Sequence, residues 1–175
     1  MECFEKRANV YGYADDPMRW LLLSRGVLEF VARSAWKPDI IIANDWETGF
    51  IPNLLKTEYR EHPILSSIAT IFCIHNLRNQ GMFDAAFVSE VDADFGRIAL
   101  PTDLADPLVK KLNGMRRGIL YADHIVTVSP TYAKEILTPE FGEKLDELLR
   151  DRRGNLKGIL NGIDYDRWNP ETDPD

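Results

Sequence analysis

Polar side chains that could bind a ligand follow each of the four apolar runs in this sequence. They lie in residues 44–47, 75–77, 129–131 and 161–164. Ligands of an open parallel sheet bind just beyond the carboxyl ends of its strands, so these stretches are predicted to share one rim. Each alone is explained as a turn or a helix cap, because Asn, Asp and Ser hydrogen-bond the nearby backbone. Four on one rim favour a binding cleft.

His75 is the histidine best placed for chemistry, because it sits at a predicted strand end beside the amide of Asn76. The alternative is a structural role, in which His75 lies at the rim and hydrogen-bonds a neighbouring loop. His62 precedes a proline in a turn and is predicted to be exposed, whereas His124 leads into a strand and is predicted to be structural.

Other chemistries are poorly supported by the spacing of the residues. The sequence has no GxSxG elbow, no HExxH pair and no glycine-rich phosphate loop after a strand, which argues against a hydrolase, a zinc site and a complete dinucleotide site. Cys73 is predicted to point into the sheet region. Asp45 and Glu47 are two residues apart on one loop and are not expected to face each other across a sugar, as glycosidase carboxylates do. Amides and aromatic rings are typical of a carbohydrate cleft.

The composition excludes several classes of protein. The 175 residues are 45% hydrophobic and 28% charged, which is typical of a globular domain with one core. The net charge of −7 gives no general help in binding nucleic acid or acidic membranes, and it favours an uncharged partner. The sequence shows no signal peptide and no apolar run of the roughly 18 residues that a spanning helix needs. Two cysteines without a framework fit a reducing cytoplasm.

Alternating helices and apolar strands predict an α/β fold with a Rossmann-like parallel sheet. Asp15-Asp16-Pro17 predicts the start of a first helix that ends near Ser34, with an acidic residue as N-cap and proline at the first helical position. No clear period is found in residues 77–104. The predicted strands are 40–43, buried on both faces, then 69–74, 125–128 and 156–160, and the later helices are 48–59, 106–121, 131–137 and 143–153.

Five collinear motifs together carry a resemblance to a known family. They read YGYADDPMRW at 11–20, PDIIIANDWETG at 38–49, FCIHNLRNQGMF at 72–83, YADHIVTVSPTYA at 121–133 and LKGILNGIDYDRWNPETD at 156–173. They resemble signatures of bacterial glycogen synthases and plant starch synthases, glycosyltransferase family 5, and they cover nearly the whole chain.

The resemblance implies a GT-B fold, in which two Rossmann-like domains face a deep cleft. Such enzymes transfer glucose from ADP-glucose, sometimes UDP-glucose, to the non-reducing end of an α-1,4-glucan, with retention of the anomeric configuration. It implies no metal and no cofactor, since ADP-glucose is the donor substrate. The expected location is the cytoplasm, or the plastid of a plant.

The resemblance also implies roles for five residues. His75 matches the family's cleft histidine and Asp45 the aspartate of its HDW loop, and both are expected to be catalytic. Asn76, Asn161 of the NGID loop and Tyr11 at the cleft edge are expected to bind substrate.

The chain departs from the family pattern in several places. The donor-binding KxGGL loop and the C-terminal nucleotide-binding domain are absent, so residues 1–164 are expected to be part of the N-terminal, acceptor-side domain and 165–175 the start of the interdomain linker. Asn44 and Glu47 replace histidines, and Lys144 replaces a glycine. Alone, the chain is expected to be inactive and to self-associate through an exposed sheet edge.

Two other functions compete with this one. The first is a non-catalytic module that binds α-glucan. The second is an unrelated sugar-nucleotide enzyme such as an epimerase, which the missing phosphate loop disfavours.

Overall fold

A four-stranded parallel sheet organises the chain. The computed structural model describes residues 8–10, 12–13, 15–84, 111–165 and 167–172. The strands are β1 (Ile40–Asn44), β2 (Ala69–Ile74), β3 (Met82–Asp84), β4 (Lys111–Asn113), β5 (His124–Thr127) and β6 (Leu156–Gly158). The helices are α1 (Asp16–Arg33), α2 (Asp45–Thr48), α3 (Phe50–Lys56), α4 (Gly114–Tyr121), α5 (Pro130–Glu135) and α6 (Asp146–Asp151), with 3-10 turns at Leu65–Ser67 and Arg153–Asn155.

The strand order in the main sheet is β1-β2-β5-β6, and every neighbouring pair is parallel. Helices connect the strands, so the predicted α/β class with a parallel sheet and flanking helices is confirmed. Strands β3 and β4 form a separate antiparallel pair that the sequence did not predict. Part of this pair, Lys111–Asn113, falls inside the helix predicted over 106–121.

The prediction that β1 is buried on both faces is wrong. Ile41 and Ala43 are buried, but Ile40 is 52% exposed and Ile42 is 59% exposed. The reason is the position of β1 at the edge of the sheet, where the core covers only the face of Ile41 and Ala43. Self-association of the chain stays a prediction, and exposed Ile40 and Ile42 are the residues that would favour it.

Strand β2 is confirmed over its predicted range and lies inside the sheet. Phe72 and Ile74 are fully buried, together with Leu77 in the following loop and Ile119 of α4. Removing a side chain of this size from water stabilises the fold by about 1.5–3 kcal/mol. The core therefore packs directly beneath the end of β2, where the predicted site begins.

The helix predicted over 48–59 is observed as α3, which ends earlier, at Lys56, whereas α2 lies in the stretch predicted as a loop and is separated from α3 by Gly49. At this point the backbones of Gly49 and Gly114 are in contact, and a Cβ atom on Gly49 would overlap the carbonyl of Gly114. Helix α4 begins only at Gly114, where the side chain of Asn113 accepts a hydrogen bond from the backbone N–H of Arg116 at 2.8 Å. Both boundaries depend on this close approach of α2 and α4.

The residue at the N-cap of α1 is acidic, as predicted, and it is Asp15. Asp15 makes no side-chain cap hydrogen bond. Instead the carboxylate of Asp16 accepts from the backbone N–H groups of Gly12 and Tyr13, at 2.5 and 2.9 Å, and pairs with Arg19. Among the described residues, no helix combines the length and the apolarity that crossing a membrane requires.

The remaining elements are shorter than predicted. Helix α5 ends at Glu135, α6 covers only Asp146–Asp151, and β6 ends at Gly158. Phe30 in α1 is 63% exposed.

Candidate functional site at the carboxyl ends of the strands

The four polar stretches follow β1, β2, β5 and β6, as predicted. Because these strands are parallel and adjacent, the stretches all begin at the carboxyl-terminal end of the sheet. The described contacts join the first two stretches directly and tie the third to the loop after β2.

His75 and Asp45 meet at this end of the sheet. The backbone N–H of His75 donates to Oδ1 of Asp45 at 2.8 Å, and Nε2 of its ring lies 3.0 Å from Oδ1 of Asn44. When Nε2 carries the proton, the ring donates to that amide, and Nδ1 of the neutral ring is left as an acceptor. His75 and Asn44 are exposed and Asp45 is half-buried. The ends of β1 and β2 therefore hold one histidine, one carboxylate and one amide open to solvent.

Asp45 adopts an unusual backbone conformation, with φ of +54°. Asp and Asn enter this left-handed region more readily than other non-glycine residues. The conformation turns the chain from β1 straight into α2, and Thr48 Oγ1 secures the turn by donating to the carbonyl of Asn44 at 2.7 Å. Non-glycine residues in this region cost about 1–3 kcal/mol and cluster at functional sites.

Asn76 shapes the loop that follows His75. Its Oδ1 accepts from the backbone N–H of Arg78 at 3.1 Å, and its carbonyl accepts from that of Asn79 at 3.2 Å. The side-chain oxygen of Asn76 therefore stabilises a turn, which is the structural role that Asn often has after a strand. Its predicted role in a sugar pocket stays a prediction.

Ser129 is a helix cap, since its side chain accepts from the backbone N–H of Tyr132 at 2.9 Å. Tyr132 is a supporting residue that sequence reasoning missed. Its hydroxyl accepts from the backbone N–H of Leu77 at 3.1 Å and so ties α5 to the loop after β2. Nothing in the sequence marked this contact, because the two residues are 55 positions apart.

Two predicted substrate-binding residues are not joined to this cluster. Asn161 is exposed beyond β6, and among the described residues it makes no hydrogen bond to His75 or Asp45. Tyr11 lies outside the described residues. Their roles stay predictions.

Trp46 packs behind Asp45. A Cβ atom on Gly81 would overlap its indole ring, and one on Gly114 would overlap its carbonyl oxygen. Trp20 meets the indole edge-on, with ring centroids 6.3 Å apart and planes at 82°. A glycine at position 81 is the sequence feature that could indicate a close contact there, but the sequence does not show that its partner is Trp46.

Acidic groups dominate the local electrostatics. Burial raises the pKa of Glu47, and the nearby charges of Asp45 and Asp16 raise it further, against a backbone hydrogen bond that lowers it. Burial and the charge of Asp45 likewise raise the pKa of the Cys73 thiol. Within the described part of the chain, no three His, Cys, Asp or Glu residues group closely enough to hold a metal ion. The carboxyl-terminal end of the sheet therefore suits a neutral, hydroxyl-rich ligand or a developing positive charge better than an anion.

Residues 1–151 match the family described as the starch synthase catalytic domain. The chain belongs to this family. A glycogen synthase from Desulforamulus reducens is 42% identical over 173 residues, which cover 99% of this chain and 36% of the relative. One from Clostridium perfringens is 46% identical over 173 residues, which cover 98% of this chain and 35% of the relative. The chain thus spans about a third of the length of these starch and glycogen synthase relatives.

A solved structure shows the same fold. The catalytic domain of starch synthase IV from Arabidopsis thaliana, bound to ADP and acarbose, matches with a TM-score of 0.83 and 35% sequence identity. The match covers 99% of this chain and 35% of that chain. The α/β fold predicted here is therefore that of part of a starch synthase catalytic domain.

Proposed function

We propose that this chain forms the acceptor side of the active site of a glycogen or starch synthase. The enzyme transfers glucose from ADP-glucose to the non-reducing end of an α-1,4-glucan and retains the anomeric configuration. Residues 1–164 are assigned to the acceptor-side domain and 165–175 to the start of the linker. Membership in the starch synthase family and the glycogen synthases at 42–46% identity support the reaction.

The observation that carries the proposal is the contact between the ends of β1 and β2. The N–H of His75 donates to Asp45, while Asn44 meets the His75 ring. A retaining transfer passes through an oxocarbenium-like state, which needs orientation and electrostatic stabilisation more than a strong nucleophile. In the proposal, His75 contacts the transferring glucose, Asp45 faces the sugar and acceptor hydroxyls, and Asn76, Asn161 and Tyr11 line the sugar pocket.

The donor is proposed to be held mainly by other parts of the enzyme. The starch synthase IV structure contains ADP and acarbose, which supports a nucleotide-sugar donor and a carbohydrate acceptor. No cofactor, nucleic acid or membrane takes part in the proposed reaction. The cytoplasm, or a plastid if the source is a plant, is the proposed location.

The test compares this chain alone with the complete enzyme, meaning the chain joined to the segments that its relatives have beyond the matched third. Incorporation of labelled glucose from ADP-glucose into glycogen is measured. The complete enzyme is expected to transfer glucose and the chain alone to transfer none. Clear turnover by the chain alone would show that the other segments are dispensable, and an inactive, folded complete enzyme would refute the proposal.

His75→Ala in the complete enzyme tests the assigned residue. We expect kcat to fall by about two to four orders of magnitude, as when transition-state contacts are removed. His124→Ala is the matched control, because His124 is exposed at the opposite, amino end of the sheet, where it pairs with Ile71. Equal rates for the two variants would contradict the role of His75.

Glucan binding by the chain alone tests the second function. Binding without transfer is compatible with an acceptor-side fragment. A complete enzyme that binds glycogen but never transfers glucose would instead identify a non-catalytic α-glucan-binding module.

A further inference from the structure

We propose that Gly81 is a positioning residue, which acts through Trp46 to hold Asp45 and His75 in the arrangement described above. This inference rests on the proposed function. Gly81 lies at the far end of the loop that begins with His75. This loop contacts the residues that follow β1 at two points: the backbone N–H of His75 donates to Asp45, and Gly81 packs on Trp46.

The contact at Gly81 leaves no space for a side chain. Gly81 has φ of +60°, and a Cβ atom there would overlap Cγ, Cδ2 and Cε3 of the Trp46 indole. Any larger residue must therefore displace the indole or the loop.

The loop itself is held against displacement. The carbonyl of Gln80 accepts from the backbone N–H of Met115 at 3.1 Å. The side chain of Gln80 accepts from Asn113 Nδ2 at 2.7 Å and donates to the carbonyl of Glu143 at 2.8 Å. Gln80 is thus held by two segments, the start of α4 and the backbone at Glu143, so the loop that carries Gly81 is restrained.

Trp46 cannot move without affecting Asp45. Trp20 meets the indole edge-on, and the backbone carbonyl of Trp46 lies against Gly114. Trp46 directly follows Asp45, whose φ of +54° is already strained, so a shift of the Trp46 backbone is passed to Asp45. A change there moves the carboxylate that accepts from His75, and misplacement by about 1 Å can reduce a rate by about 100-fold.

The experiment introduces Gly81→Ala into the complete enzyme. The matched control is Gly26→Ala in α1, where a Cβ atom would meet nothing within 4 Å. We expect Gly81→Ala to lower kcat per folded molecule at least 10-fold, with less change in KM, and Gly26→Ala to leave both near wild type. A merely structural role would reduce the amount of folded enzyme and leave kcat per folded molecule unchanged.

A second variant keeps the proposal falsifiable if Gly81→Ala is poorly folded. Trp46→Ala removes Cγ, Cδ2 and Cε3, the three atoms that the new methyl group would overlap. The double variant, compared with Trp46→Ala alone, is expected to show a smaller loss from Gly81→Ala than the wild-type background does. Equal losses in the two backgrounds would overturn the proposal.

Hydrogen exchange separates failure of this inference from failure of the proposed function. The backbone N–H of His75 is protected by Asp45, so its exchange in the complete enzyme should accelerate at least 10-fold in Gly81→Ala but not in Gly26→Ala. Unchanged exchange with unchanged kcat overturns the positioning role. A parent enzyme that transfers no glucose refutes the proposed function, while the exchange measurement still decides the role of Gly81.

Discussion

The two ends of the central sheet each use an aspartate to hold β2, with different results. At the carboxyl end, Asp45 accepts from the backbone N–H of His75, and at the amino end Asp123 accepts from that of Thr70, both at 2.8 Å. Asp123 also pairs with Lys56 at 2.7 Å and accepts from the hydroxyl of Thr70 at 3.1 Å. Among the described residues, the side chain of Asp45 makes only the hydrogen bond to His75.

This difference separates an end that is held by several contacts from the end where the proposed site lies. Around Asp123, Asn155 donates to its carbonyl at 2.8 Å and Arg152 donates to the carbonyl of Ala122, so β2, β5, α3 and the segment before β6 are tied together. Around Asp45, polar groups keep free hydrogen-bonding capacity, and the backbone is strained. A polar group that binds a ligand needs hydrogen-bonding capacity that contacts within the protein have not already used.

The largest effect expected from this comparison is on activity at the carboxyl end. Asp45→Asn keeps the acceptor oxygen and suits a left-handed backbone, but it removes the charge. We expect kcat of the complete enzyme to fall by about 100-fold. The free energy of unfolding of the chain should change by less than about 0.5 kcal/mol. Glucose incorporation and urea unfolding measure the two, and a large loss of stability with normal kcat would reverse the comparison.

The same substitution at the amino end should do the opposite. Asp123→Asn loses the ion pair with Lys56, and its amide nitrogen cannot accept the hydrogen bonds that one carboxylate oxygen now accepts. We expect a loss of about 1–2 kcal/mol in the free energy of unfolding, kept modest because the pair is partly exposed. In the complete enzyme, kcat per folded molecule should be unchanged, and a drop near that of Asp45→Asn would break the distinction.

Acid should weaken the amino end through Asp123. Burial alone would raise the pKa of Asp123, but the hydrogen bonds from Lys56 and Thr70 outweigh it and lower the pKa below its ordinary value of 3.8. Because the folded pKa is depressed, this contribution to stability is present above about pH 4 and is lost as the pH falls through the folded pKa.

Urea unfolding of the chain between pH 7 and pH 2 measures this dependence. The Asp123→Asn variant, which has no carboxylate to protonate, should lose less stability than wild type over the acidic part of the range. Parallel curves for the two proteins would exclude Asp123 as a source of the acid sensitivity.

The smallest effect concerns strain near the site. Glu143 and Lys144 have φ of +48° and +66°, and the carbonyl of Glu143 holds Gln80. Lys144→Gly should raise the free energy of unfolding by about 0.5–1 kcal/mol, because glycine enters this region without steric cost. Lys157→Gly in β6 is the control and should lower stability, and a loss in both would show that Lys144 carries no relevant strain.

Sequence reasoning succeeded where local pattern and burial agree. Strand β2 was predicted over its observed range, because its apolar run lies inside the sheet. At β1 it predicted the strand but not its burial, because a continuous apolar run there is exposed on one face at a sheet edge. It also missed β3 and β4, because a pairing between distant residues leaves no periodic signal, and it missed α2, which at four residues is too short to show a helical period.

For the candidate site, the sequence alone identified the residue types, their positions after strands and, through collinear motifs, the enzyme family. Those properties are local, because a strand followed by His75 or Asp45 can be recognised from a few consecutive residues. Only the tertiary structure decided that the N–H of His75 meets Asp45, that Tyr132 holds Leu77 and that Gly81 packs on Trp46. These contacts join residues about 30 or more positions apart, and their partners are chosen by sheet register and close packing, which no single segment encodes.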